Sequence, residues 1–153
     1  MVRCSIFQGD DAMNVFMRMA AAALLLVGLA GCNPAGPGDE PPFESVDLRV
    51  GTGAEAVNGK IVIVDYVGWF YDPSRAENKG QVFDTSLNRP EPFAFVLGTG
   101  GVIRGWDQGV VGMKVGGVRR LVIPSSLGYG GQGVGVIPPY STLLFEIELL
   151  EVR

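Results

Sequence analysis

Residues 60–71 read KIVIVDYVGWFY, and this stretch decides the fold. It is long, β-branched and aromatic, the composition of a pleated and half-buried strand. Side chains alternate across a strand, so Val62, Val64 and Tyr66 share one face. Residues 142–150, TLLFEIELL, alternate more cleanly still. There Leu143, Phe145, Ile147 and Leu149 are expected to face the core, and Glu146 and Glu148 to face water.

Shorter segments fill the space between these two. Residues 46–50 read as a short strand closed by Gly51-Thr52-Gly53. Residues 81–85, 92–97 and 118–123 read as three more, with Phe93 and Phe95 pointing the same way. Residues 72–80 (DPSRAENKG) form a polar loop or bulged excursion, and residues 124–141 a long glycine–proline stretch. Beyond the N-terminal apolar run, only residues 105–113 read as helix, with Trp106, Val110 and Met113 at i, i+4 and i+7. That helix is short and glycine-punctuated, so it needs a sheet to lie against. The expected class is α+β, an antiparallel sheet with one helix across its concave face.

Composition narrows the chemistry. The chain has 153 residues, of which 47% are apolar, enough for one domain with a sizeable core. A net charge of -4 argues against a nucleic-acid partner, which needs clustered Lys and Arg. There is no histidine, so histidine triads, histidine metal sites and histidine general bases are all excluded. Cys4 and Cys32 are too few for a cysteine zinc site or a disulfide framework. Carboxylates are scattered, with no cluster spaced to hold a metal. Residues 128–133 (GYGGQG) match the dinucleotide-binding glycine pattern, yet Pro138 and Pro139 follow where the required helix would start. Large apolar residues beside glycines, at Phe83-Asp84, residues 102–106, Tyr129-Gly130 and residues 137–139, suggest instead a shallow apolar pocket.

The N-terminal third has a different character. Residues 20–30, AAAALLLVGLA, would rise only about 16 Å as helix, too short for a hydrocarbon core of about 30 Å. Arg18 precedes the run and Leu29-Ala30-Gly31-Cys32 closes it, the layout of a bacterial secretory signal. The cysteine after Leu-Ala-Gly resembles the lipobox of bacterial lipoproteins, in which that cysteine is acylated. Residues 1–31 are therefore expected to be a signal peptide, with Cys32 as the site of lipid attachment. Asp10 and Asp11 are unlike a signal's basic start, so translation is expected to begin at Met13 or nearby. Residues 32–44, rich in Pro and Gly, are expected to be a flexible tether, and residues 45–153 the folded domain. The expected location is the bacterial cell envelope, lipid-anchored, with the domain facing the periplasm or exterior.

Five motifs carry a family resemblance. Residues 64–68 (VDYVG), 82–86 (VFDTS), 102–106 (VIRGW), 137–139 (IPP) and 142–146 (TLLFE) resemble FKBP-type peptidyl-prolyl isomerases in order and spacing. The resemblance covers residues 46–152. It implies a half-barrel of five or six antiparallel strands wrapped around one short helix that carries Trp106. It also implies a pocket. Tyr66 and Phe83 would be walls, Asp84 the one buried acid near Arg89, and Trp106 the floor. Phe93, Val102, Ile103, Ile137 and Phe145 would complete the apolar lining, and Tyr129 would offer its hydroxyl to a substrate carbonyl. Two departures stand out. Residues 72–80 look longer than in the smallest family members, and the segment from Tyr129 to Ile137 looks one residue short, with Gly133-Val134-Gly135 where many members place a histidine.

The implied activity needs no cofactor and no metal. Turning an X-Pro amide breaks no bond but crosses a barrier of about 18–20 kcal/mol. An apolar aromatic pocket strips the water that stabilises the planar ground state. The implied partners are proline-containing polypeptides and unfolded exported proteins, the macrolide inhibitors of the family, and a membrane through the lipid. A second reading keeps the same pocket as a proline-segment-binding chaperone or adaptor with incidental turnover. Turnover on a short proline peptide separates the two.

Overall fold

The alternating segments become six strands and one helix within residues 40–153, the part of the chain that the structure, a computed structural model, describes. The expected signal segment, Cys32 and the first part of the tether lie outside the described residues. In chain order the elements are β1 (Glu44–Arg49), β2 (Ile61–Tyr71), β3 (Lys79–Thr85), β4 (Phe93–Val96), α1 (Arg104–Gly109), β5 (Val118–Ile123) and β6 (Leu143–Val152). β1 begins one residue before the expected domain start, and Phe43 already packs against the core.

All strand pairs are antiparallel, in the order β1-β5-β6-β2-β3, with β4 also on β2. β2 lies between β6 and a shared edge. On that edge it pairs with β4 from Ile61 to Val64 and with β3 from Val67 to Tyr71. Opposite, Tyr66 faces Ile147 and Gly68 faces Phe145. The face expected from alternation is the buried one: Val62, Val64, Leu143, Ile147 and Leu149 are fully buried, and Tyr66 and Phe145 nearly so.

The helix is shorter than its apolar spacing suggests. α1 ends at Gly109, and the chain turns back through Gly112, whose φ of 80° is open to glycine at little cost. Val110 and Met113 are buried all the same, beyond the helix end. What holds so short a helix is its approach to β5. A Cβ on Gly105 would sit 2.6 Å from Ile123 Cγ2, and one on Gly109 would sit 2.5 Å from Leu121 Cδ1. Spaced four apart, the two glycines put one bare helix face against two fully buried side chains.

The outer face of β6 differs from expectation. Glu146 does not simply face water: it accepts Lys79 Nζ at 2.8 Å and Arg120 Nη2 at 2.7 Å. Glu148 pairs with Arg49 at 2.6 Å, and Leu144 on the same face is fully buried. The cover comes from neighbouring strands, with Val122 and Trp69 flanking Leu144 in register and Lys79 Nζ lying 4.8 Å from the Trp69 ring centre. Residues 72–80 contain a one-turn 3-10 helix at Ala76–Asn78, from which Glu77 reaches the same lysine.

Candidate functional site

Over the concave face, the inward side chains of β2, β3, β4 and β6 meet α1 around a cavity of about 280 Å3. Trp106, on the first turn of α1, is 4% exposed and forms its floor. Its ring meets Tyr66 edge-on at 5.0 Å and Phe145 at 5.2 Å, with Phe93 at 5.9 Å. Edge-to-face pairs at such distances favour one arrangement of the rings. Phe83 closes the wall against Phe145 at 5.5 Å. Gly68 makes this wall possible, since a Cβ there would come within 2.8 Å of both Phe83 and Phe145. Trp106 Nε1 is buried and has no hydrogen-bond partner among the described residues.

The polar groups gather at one corner. Tyr66 Oη donates to Asp84 Oδ2 at 2.6 Å, while Asp84 Oδ1 accepts Arg89 Nη2 at 2.8 Å and Thr85 N at 2.9 Å. Arg89 also lies over the Tyr66 ring, 5.8 Å from its centre. Burial, then the hydrogen bond to Asp84, push the Tyr66 phenol up from 10.0 to about 12. Burial, and next the Asp84 charge, raise Tyr129 as well. Both hydroxyls therefore keep their protons at neutral pH.

The loop before α1 is held by a carboxylate. Asp107 accepts Gly98 N through Oδ1 and Gly100 N through Oδ2, both at 2.8 Å. This clamp fixes the segment that delivers Gly101, Val102 and Ile103 to the cavity wall. Arg104 Nη2 donates to Ser126 O at 2.6 Å and ties the helix start to the one-turn 3-10 helix at Ser125–Leu127. Tyr129 follows in the same connection and reaches the cavity.

The structure brings together Tyr66, Phe83, Asp84, Arg89, Phe93, Val102, Ile103, Trp106, Tyr129 and Phe145. Ile137 is not among the lining residues. It is paired to Val134 by two backbone hydrogen bonds, of 3.0 and 2.9 Å, and is buried with the core. Asp84 is not a buried acid either, for its side chain is 42% exposed. Ionised carboxylates are costly to bury, and this one keeps solvent as well as three donors. Sequence reasoning missed Gly101, which adjoins the quoted VIRGW, and the Asp107 clamp, which directly follows Trp106. Only a pairing of Asp107 with the glycines at 98 and 100 could have signalled it. Among the described residues, no group of three potential ligands comes together to hold a metal ion.

Comparison with known proteins places this geometry. The family described as FKBP-type peptidyl-prolyl cis-trans isomerase matches residues 53–150. An FK506-binding protein of Neisseria meningitidis serogroup A is 54% identical over 107 residues, which cover 69% of this chain and 92% of that protein. Peptidyl-prolyl cis-trans isomerase FPR2 of Saccharomyces cerevisiae is 51% identical over 100 residues, covering 65% of this chain and 70% of the yeast protein. Among solved structures, AtFKBP13 is 42% identical with a TM-score of 0.63, over 72% of this chain and 93% of that one. FkpA from Escherichia coli is 40% identical with a TM-score of 0.63, over 72% of this chain and 48% of that one. The open antiparallel sheet around one short helix is that of a prolyl isomerase domain. The chain belongs to the FKBP-type peptidyl-prolyl cis-trans isomerase family, and with it to the rotamase class of enzymes.

Proposed function

We propose that the cavity accelerates cis–trans exchange by seating the proline ring on the Trp106 indole and turning the preceding amide with no covalent step. The observation that carries this reading is the separation of the cavity into an aromatic floor and one polar corner. The planar amide is charge-separated by resonance and favours water. The twisted amide has lost that resonance and tolerates an apolar site better, so removing water lowers the barrier. Tyr129, protonated at neutral pH, donates to the substrate carbonyl and orients it. Tyr66, Asp84 and Arg89 shape the wall at the point where the amide turns. No proton is transferred, which agrees with a chain that has no histidine.

The clients are exported, unfolded polypeptides, met at the surface of a membrane. Support comes from the short apolar run at residues 20–30 and the Leu-Ala-Gly-Cys that ends at Cys32. Lipid chains add about 0.8 kcal/mol of membrane affinity per buried CH2, so two or three hold firmly. Cys32→Ser should abolish labelling by a fatty-acid analogue and release the protein from membranes. Unchanged retention would point to a different anchor.

The decisive experiment is a protease-free isomerisation assay on a short proline peptide. Acceleration that a macrolide of the FK506 type suppresses supports the enzyme. Binding of the peptide without acceleration would establish the adaptor reading instead.

A further inference from the structure

Ser86 is 1% exposed, one of two buried polar side chains among the described residues, and it does not line the cavity. It stands where the sheet lacks a rung. On its shared edge β2 is paired with β4 as far as Val64 opposite Phe93, and with β3 only from Val67 opposite Thr85. Asp65 and Tyr66 fall in the gap. There Tyr66 N donates to Ser86 Oγ at 2.9 Å. Tyr66 O accepts Ser86 N at 3.1 Å and Thr85 Oγ1 at 2.9 Å. The serine thus stands in for the missing strand, since a buried backbone N–H with no partner is costly. Its hydroxyl proton goes to Asp65 Oδ1 at 2.7 Å, which leaves a lone pair for Tyr66 N.

The same short stretch, residues 84–86, also holds the other end of the tyrosine. Asp84, two positions before Ser86, accepts the Tyr66 phenol at 2.6 Å. Ser86 O also accepts Arg89 N at 2.8 Å, closing the turn that returns the guanidinium to Asp84. Tyr66 is therefore gripped by its peptide and by its hydroxyl from one short stretch. Resting on the isomerase reading of the cavity, we propose that Ser86 is a positioning residue: its hydroxyl, oriented by Asp65, replaces a sheet rung and fixes the Tyr66–Asp84 pair at the cavity wall.

The test compares the full-length chain with Ser86→Ala, Tyr66→Phe and the double variant on one proline peptide. Ser86→Ala should lower kcat/KM by roughly five- to tenfold, the size of one neutral hydrogen bond. Because Ser86 acts through Tyr66, the double variant should be no worse than Tyr66→Phe alone. Losses that multiply would overturn the proposal. A second readout needs no turnover. In an NMR titration of ring-labelled tyrosine, the Tyr66 midpoint should lie above 10.0 in the wild type and fall in Ser86→Ala, as its bond to Asp84 loosens while burial still holds it up. An unmoved midpoint would overturn the proposal even if the rate fell. A wild type without turnover would sink the isomerase reading, and the titration would still decide on Ser86. If Ser86→Ala fails to fold, Asp65→Ala frees the hydroxyl rotor and should show both changes in smaller measure. Asp65→Asn, which retains an acceptor, should keep wild-type values, and loss there equal to Asp65→Ala would count against the mechanism.

Discussion

Trp106 is 4% exposed and packed by aromatic rings, whereas the Asp84 side chain in the same cavity is 42% exposed and bound by three donors. The floor belongs to the core cluster together with Val64, Leu121 and Ile147. Asp84 and Arg89 of the polar corner belong to a strand end and the turn after it. The same ligand would touch both, yet only one of them is also holding the domain together. The expectation is that the floor is costly to change for stability and the Asp84 corner for activity.

Trp106→Ala attacks the first kind and should have the largest effect. Truncating a buried aromatic costs about 3–5 kcal/mol, so denaturant midpoint and isomerase rate should fall together. A rate loss with an unchanged midpoint would break the contrast at its root. Asp84→Asn attacks the second kind. It should lower kcat/KM several-fold while the melting temperature barely moves, because an exposed ion pair contributes little. A melting shift as large as that of Trp106→Ala would make the corner structural. Tyr129→Phe removes only the hydroxyl and should slow turnover by about tenfold or less, the scale of one hydrogen bond, leaving Tm in place.

The pH dependence is the smallest effect and sharpens the same line. With no histidine and with Tyr66 and Tyr129 both raised, the rate should be flat from about pH 6 to about pH 8. Stability should respond much later. Below pH 10 Tyr66 is protonated whether folded or unfolded. Above it the unfolded chain sheds the proton while the folded chain holds it to about 12, so stability is lost across that window. Urea midpoints measured between pH 9 and pH 12 should fall for the wild type and fall less for Tyr66→Phe. A bell-shaped rate profile near neutrality, with the fold intact, would contradict a mechanism without proton transfer.

Much of this was legible because alternation reports faces. β2 and β6 emerge with their buried positions correct, and Tyr66, Phe83, Trp106 and Phe145 of the cavity fall within motifs quoted in order. What alternation cannot report is what lies over a face. Glu146 reads as exposed and Leu144 is assigned to neither face, yet Lys79, Arg120, Val122 and Trp69 cover them from distant parts of the chain. Apolar spacing continued the helix to Met113, because burial persists after the glycines have ended the helical hydrogen bonding. The buried Asp84 that the resemblance implies is instead 42% exposed at its side chain, since a shared motif does not say which side of a strand end meets solvent. The place of Ser86 was out of reach. It depends on two strands sharing one edge of a third, and no local pattern encodes the gap between them.

Gly105 and Gly109 bear on substrate selection from behind the cavity. With no side chain of its own at these two positions, the helix is a shim of minimum thickness, seated on Ile123 and Leu121. Its thickness sets how far the indole stands above the sheet, and hence how deep a ring can enter. A single methyl at position 109 would come within 2.5 Å of the fully buried Leu121, so either the leucine repacks or the floor rises towards the mouth. The depth offered to a five-membered ring is therefore gauged by a contact that no substrate ever touches.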